Sequence, residues 1–196
     1  MITIIAPLDS SPTTVTYEAG KRIYEILGRS EDVRLLPHAF ATHFSWRLAE
    51  ILRRSEFVIY LGHGEKNALL GQLPWGLIRA LLTEKDERLA DERKFINVAC
   101  YSLWVGRLVP HEWWTGSRTF MTVGFPSLDH DYSEDFIDTF VTLAITAVKK
   151  DDPVRAVRVF KERCTRYITE YERGRYAEWD TYSYYMRINR DYYGWL

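Results

Sequence analysis

Short runs of consecutive apolar residues alternate along the chain with longer stretches whose apolar positions recur every three or four residues. "ITII", residues 2 to 5, is β-branched and ended by Pro7, which predicts a first strand. Val15, Ala19, Ile23, Ile26 and Leu27 then fall at helical spacing over residues 14 to 28, closed by Gly28. "VRLLP" predicts a second strand. A helix from about Thr42 to Arg54 follows, with Phe44, Leu48, Ile51 and Leu52 on one face. "FVIYL" is continuously apolar, the pattern of a strand covered on both faces. After "LPWG" a helix is predicted to about Arg93, its charged half "TEKDERLADERK" facing solvent. "FINVAC" and "TFMTVGF" predict the fourth and fifth strands, and helices follow over Ser133 to Lys149 and Pro153 to Tyr171. "DTYSYYMRIN" alternates as an edge strand would, with Tyr182, Tyr184, Met186 and Ile188 on one face.

This alternation predicts an α/β fold: a three-layer α/β/α sandwich with a mostly parallel sheet. The 196 residues contain no repeat or Gly/Ser linker, so residues 1–196 read as a single domain. A formal charge of −1 gives no electrostatic reason to expect nucleic acid or an acidic membrane surface. No run of eighteen apolar residues exists, and "MITIIAPL" lacks the basic start of a signal peptide, which predicts a cytoplasmic protein. Two cysteines, Cys100 and Cys164, make no disulfide framework. In a reducing compartment Cys100 stays a free thiol.

His63, flanked by Gly62 and Gly64, ends the third strand; Cys100 ends the fourth. Open parallel sheets bind ligands beyond the carboxyl ends of their strands. Consecutive parallel strands are usually neighbours, about 4.8 Å apart. Imidazole and thiol can therefore meet at one rim. A thiol attacks as thiolate, and an imidazole accepts its proton and returns it to a leaving amine. The main-chain N–H groups of Gly64 and Cys100 are the candidate oxyanion donors, glycine permitting close backbone approach.

"VIYLGHG" followed by "FINVACYS" resembles the caspase-like clan of cysteine peptidases, which includes caspases, gingipains, separases and CHAT domains. The His-Gly and Ala-Cys strand ends of that clan correspond to His63-Gly64 and Ala99-Cys100, separated by 100 − 63 = 37 residues. "NALLGQLPWGLIRALL", "TFMTVGFPSLDHDYSEDFIDTFV" and "PVRAVRVFKERC" extend the resemblance, most closely to CHAT-type members, over residues 56 to 165. It implies a caspase-like sandwich and a cysteine endopeptidase working through a His63/Cys100 dyad and an acyl-enzyme, without a cofactor, on a peptide or protein substrate. Tyr101 stands where caspases have glycine, and Val98 where several basic-specific relatives have an acid.

Asp129, Asp131 and Glu134 follow the fifth strand on the same rim. Acids there suit a helix N-terminus. They also suit a pocket for Arg or Lys before the scissile bond. The resemblance favours the second reading, with Asp129 and Asp131 as the specificity pocket. Cys164 lies at helical apolar spacing with Val157 and Phe160 and reads as core. His38, His43, His111 and His130 share no metal-ligand spacing, and no metal is expected. The Trp113-Trp114 loop is a candidate wall of the cleft. The aromatic tail leaves room for a homo-oligomer, or for a regulatory partner protein. Two other classes remain open: an inactive caspase-like scaffold that binds a partner peptide, and a flavodoxin-like or nucleotide-binding domain using the hydroxyls of Ser10 and Ser11.

Overall fold

The computed structural model describes residues 1–8, 11–36, 45–72, 78–83, 85, 87–121, 131–176 and 179–196. Four apolar runs become a parallel sheet: β1 (Ile2–Ile5), β2 (Val33–Leu36), β3 (Phe57–Leu61) and β7 (Lys94–Val98). β8 (Trp113–Ser117) continues it in parallel, and β9 (Tyr193–Trp195) closes the edge antiparallel to β8, giving the order β2-β1-β3-β7-β8-β9. The order reverses between β1 and β3, where an open α/β sheet leaves a crevice at the carboxyl ends of its strands. β3 and β7 are direct neighbours, Phe57 opposite Lys94 and Leu61 opposite Val98.

Side chains alternate across the sheet, so each strand feeds two cores. Ile2, Ile4, Ile59, Leu61, Ile96 and Val98 face α1 (Ser11–Leu27), α5 (Asp131–Lys150), α6 (Pro153–Glu172) and α7 (Trp179–Tyr192). Ile5, Val58, Tyr60, Phe95 and Trp114 face the other way. There the cover is mixed. It combines α2 (Ser45–Arg54), α3 (Glu87–Ala90) and α4 (Ser102–Gly106) with a second sheet of β4 (His63–Glu65), β5 (Ala68–Gln72) and β6 (Ile78–Thr83). Among the described residues no helix is long and apolar enough to cross a membrane.

Five expectations are corrected. The helix expected up to Arg93 is instead strand β6 followed by the one-turn α3, because Leu69 on β5 and Leu82 on β6 are cross-strand partners buried over the main sheet. "IRALLT" carries no breaker, and both periods suit it. The charged stretch does not lie wholly in solvent: Lys94 is buried, pairing with Glu56 at 3.0 Å and Asp151 at 2.7 Å and lying over the Phe57 ring. The fifth strand is Trp113–Ser117 rather than "TFMTVGF", of which residues 122–125 lie outside the described residues. Trp114 stacks on Phe95 at 4.5 Å and Trp113 meets Phe57 edge-on, so this pair is core rather than cleft wall. "DTYSYYMRIN" is α7, not a strand. Tyr182, Met186 and Asn189 form its buried stripe at intervals of four and three, and Tyr184 is 58% exposed. β-propensity of the tyrosines misleads there.

One buried carboxyl gives this fold a pH signature. Asp135 on α5 accepts from the Tyr171 hydroxyl at 3.0 Å and faces Arg175 at 3.1 Å, with Tyr176 and Glu170 close by. Burial pushes its carboxyl up to about 6, against the pull of Tyr171 and Arg175. The folded state therefore holds this proton more tightly than the unfolded chain. The contribution to stability is full below the unfolded carboxyl range and is lost as pH rises from about 4 to 6. Asp135→Asn should remove that decline, so the gap in urea midpoint between variant and wild type grows in the variant's favour from pH 4 to pH 7. A constant gap would contradict the assignment.

Candidate active site

β3 runs directly into the site. The Gly62 N–H donates to the Val98 carbonyl at 3.1 Å, which carries the β3–β7 ladder one step past the last strand residue. His63 then opens β4, paired antiparallel with Leu70. The buried Tyr60 hydroxyl donates to the His63 carbonyl at 2.6 Å and also contacts the Leu70 carbonyl. That pairing fixes the hairpin onto β3, so the imidazole sits on a braced strand rather than a free loop.

The glycines beside His63 are explained by packing rather than by positive φ. A Cβ on Gly64 would stand 2.3 Å from the Cys100 carbonyl oxygen and 3.2 Å from the Ala99 Cβ. A Cβ on Gly62 would stand 2.7 Å from the Tyr60 hydroxyl. Gly64 therefore lets the histidine strand lie against the cysteine turn, a closer role than approach to a substrate.

β7 ends at Val98, and Cys100 sits two residues beyond. Tyr101 adopts φ 53, ψ 12, a left-handed conformation that costs a non-glycine residue roughly 1 kcal/mol or more. α4 starts at once. The Tyr101 N–H donates to the Thr119 carbonyl at 2.7 Å, and the Met121 N–H donates to the Cys100 Sγ at 3.3 Å. The thiol in turn lies 3.7 Å from the Met121 carbonyl.

Half-buried His63 and Cys100 line one small pocket of about 60 Å³, with Gly62, Val98, Ala99, Met121 and two residues of the first turns of α1, Thr13 and Thr16. Of the residues singled out in the sequence, His63 and Cys100 line this pocket, and Gly64 lies against the Cys100 carbonyl. The spacing of strand ends did not predict Met121, or the two threonines buried in the first turns of α1, which no local pattern marks. Asp129 lies outside the described residues, as do His38, His43 and His130; Asp131 is the first residue of α5. Glu134 is engaged elsewhere, in a two-pronged pair with Arg22 at 2.6 and 2.8 Å. His111 stacks edge-on to Trp114 with its Nδ1 on the Val109 carbonyl, at the opposite end of the sheet from Cys100. Cys164 is fully buried in α6, and burial pushes its thiol far up, out of the reactive range. Among the described residues no group of three His, Cys, Asp or Glu side chains is placed to hold a metal.

A half-buried thiol and an imidazole on a braced hairpin, lining one pocket, are the groups that acyl transfer uses. No model of a known protein family matches the chain, and no curated protein matches it.

Proposed function

We propose that this chain is a caspase-like cysteine endopeptidase. The observation that carries the reading is a pocket lined by both His63 and Cys100, at the carboxyl ends of paired strands β3 and β7. In this mechanism His63 takes the Cys100 proton as sulfur attacks the scissile carbonyl. The N–H groups of Cys100 and Gly64 receive the developing oxyanion. His63 then protonates the leaving amine, and water, deprotonated by the same imidazole, hydrolyses the thioester and regenerates the thiol. Asp129 and Asp131 supply the preference for Arg or Lys before the scissile bond, through carboxylate–cation pairing.

A second reading, an inactive scaffold that binds a partner peptide, draws on the contacts of the sulfur with both the amide and the carbonyl of Met121. Fluorogenic peptides varied at the residue before the cleaved bond separate the two. The peptidase reading expects turnover of Arg and Lys peptides that disappears in Cys100→Ala. Binding without turnover favours the scaffold, and turnover that survives in Cys100→Ala overturns the dyad.

A further inference from the structure

We infer that Ser102 is a positioning residue for Cys100: its buried hydroxyl locks the strained turn that keeps the thiol in the pocket it shares with His63. Its catalytic meaning rests on the peptidase reading; the structural lock does not.

Tyr101 is one of three described non-glycine residues with positive φ, and of these it alone adjoins the cysteine. Such a conformation persists only where the surroundings over-determine it. The surroundings here converge on Ser102. Its hydroxyl, wholly buried, donates to the Ala99 carbonyl at 2.8 Å, spanning Cys100 and Tyr101 in one step. The same oxygen accepts the Ser117 N–H at 3.1 Å, which ties the turn to the end of β8. The Ser102 carbonyl accepts from the Trp114 indole at 2.8 Å. Gly116 makes room: a Cβ there would stand 2.5 Å from the Ser102 hydroxyl. Sequence and fold thus place a hydroxyl, a glycine and an indole around the two residues after Ala99.

Removing the hydroxyl takes one partner from the Ala99 carbonyl and one from the Ser117 N–H. The turn then relaxes, and the peptide planes on either side of Cys100 rotate. A shift of about an ångström at a reacting atom costs on the order of a hundred-fold in rate.

The test is the pH profile of Cys100 alkylation by iodoacetamide, measured by peptide mapping in the full chain. Ser102→Ala is compared with wild type and with Phe160→Leu, a buried change on α6 that lowers the melting temperature without touching the turn. Trp114→Phe, which removes the indole donor and part of a buried ring while leaving the Ser102 hydroxyl in place, serves as the second variant. In a coupled dyad the profile carries a step near neutral pH from the imidazole. Ser102→Ala should lose that step and react roughly ten- to a hundred-fold more slowly near neutral pH. Trp114→Phe should move the same way to a smaller extent, and Phe160→Leu should keep the wild-type profile. Profiles in Ser102→Ala and Trp114→Phe that match wild type overturn the inference while leaving a fast, step-bearing wild type to support the peptidase. A wild type without the neutral step argues against the peptidase; a slower Ser102→Ala rate on that background still supports the lock, and an unchanged rate removes both.

Discussion

Gly64→Ala is expected to cost about 2–3 kcal/mol of stability and most of the proposed peptidase activity. The added methyl would meet the Cys100 carbonyl oxygen at 2.3 Å and the Ala99 Cβ at 3.2 Å. Both obstacles belong to the main chain of the cysteine turn or lie directly on it, so no side-chain rotation relieves them. Either β4 lifts from the turn or the turn moves. In both cases His63 and Cys100 separate. For a chain of this size the cost corresponds to a fall of roughly 5–10 °C in melting temperature. Gly194→Ala is the control, since its nearest contact would be an ordinary 3.5 Å to a Leu103 methyl, and its melting temperature should stay within about a degree or two of wild type. Equal stability and activity for Gly64→Ala would contradict the packing of the histidine hairpin on the cysteine turn.

His63→Ala should lower kcat/KM by about 10²–10⁴, the range for removing a general acid–base group. The loss should fall in kcat, because the imidazole acts on protons in flight rather than on bound substrate. Stability should change little. The hairpin is held at this residue by its main chain, through the Tyr60 hydroxyl on the His63 carbonyl and the pairing with Leu70, and the side chain is only half-buried. A large drop in melting temperature with turnover proportional to folded protein would recast His63 as structural.

The parts of the fold legible in the sequence are those where one physical cause dominates. "FVIYL" and "KFINV" are buried on both faces; the first is a continuous apolar run and the second an apolar stretch interrupted only by Asn97 after Lys94, the pattern that identifies such strands. Their adjacency follows from crossover rules, and with it the approach of His63 to Cys100. Elsewhere two causes compete. The tyrosines of α7 favour a strand by propensity, yet packing of Tyr182 and Met186 against the other helices makes a helix. "WWTGS" looks like an aromatic loop until Phe57 and Phe95 supply the surfaces that bury its tryptophans. Lys94 reads as surface because its three carboxylate partners, Glu56, Glu112 and Asp151, come from distant segments. Thr13, Thr16 and Met121 join the site only through tertiary placement, and no local pattern marks them.

Whether the imidazole changes the chemistry of the sulfur decides between a dyad and two unrelated side chains. The most direct measurement is the initial rate at which iodoacetamide labels Cys100 near neutral pH in folded wild type and in folded His63→Ala, with Cys164 as internal reference. Wild-type Cys100 should react roughly ten-fold or more faster than in the variant, while Cys164 stays unlabelled in both. Equal Cys100 rates in the two proteins would contradict the dyad.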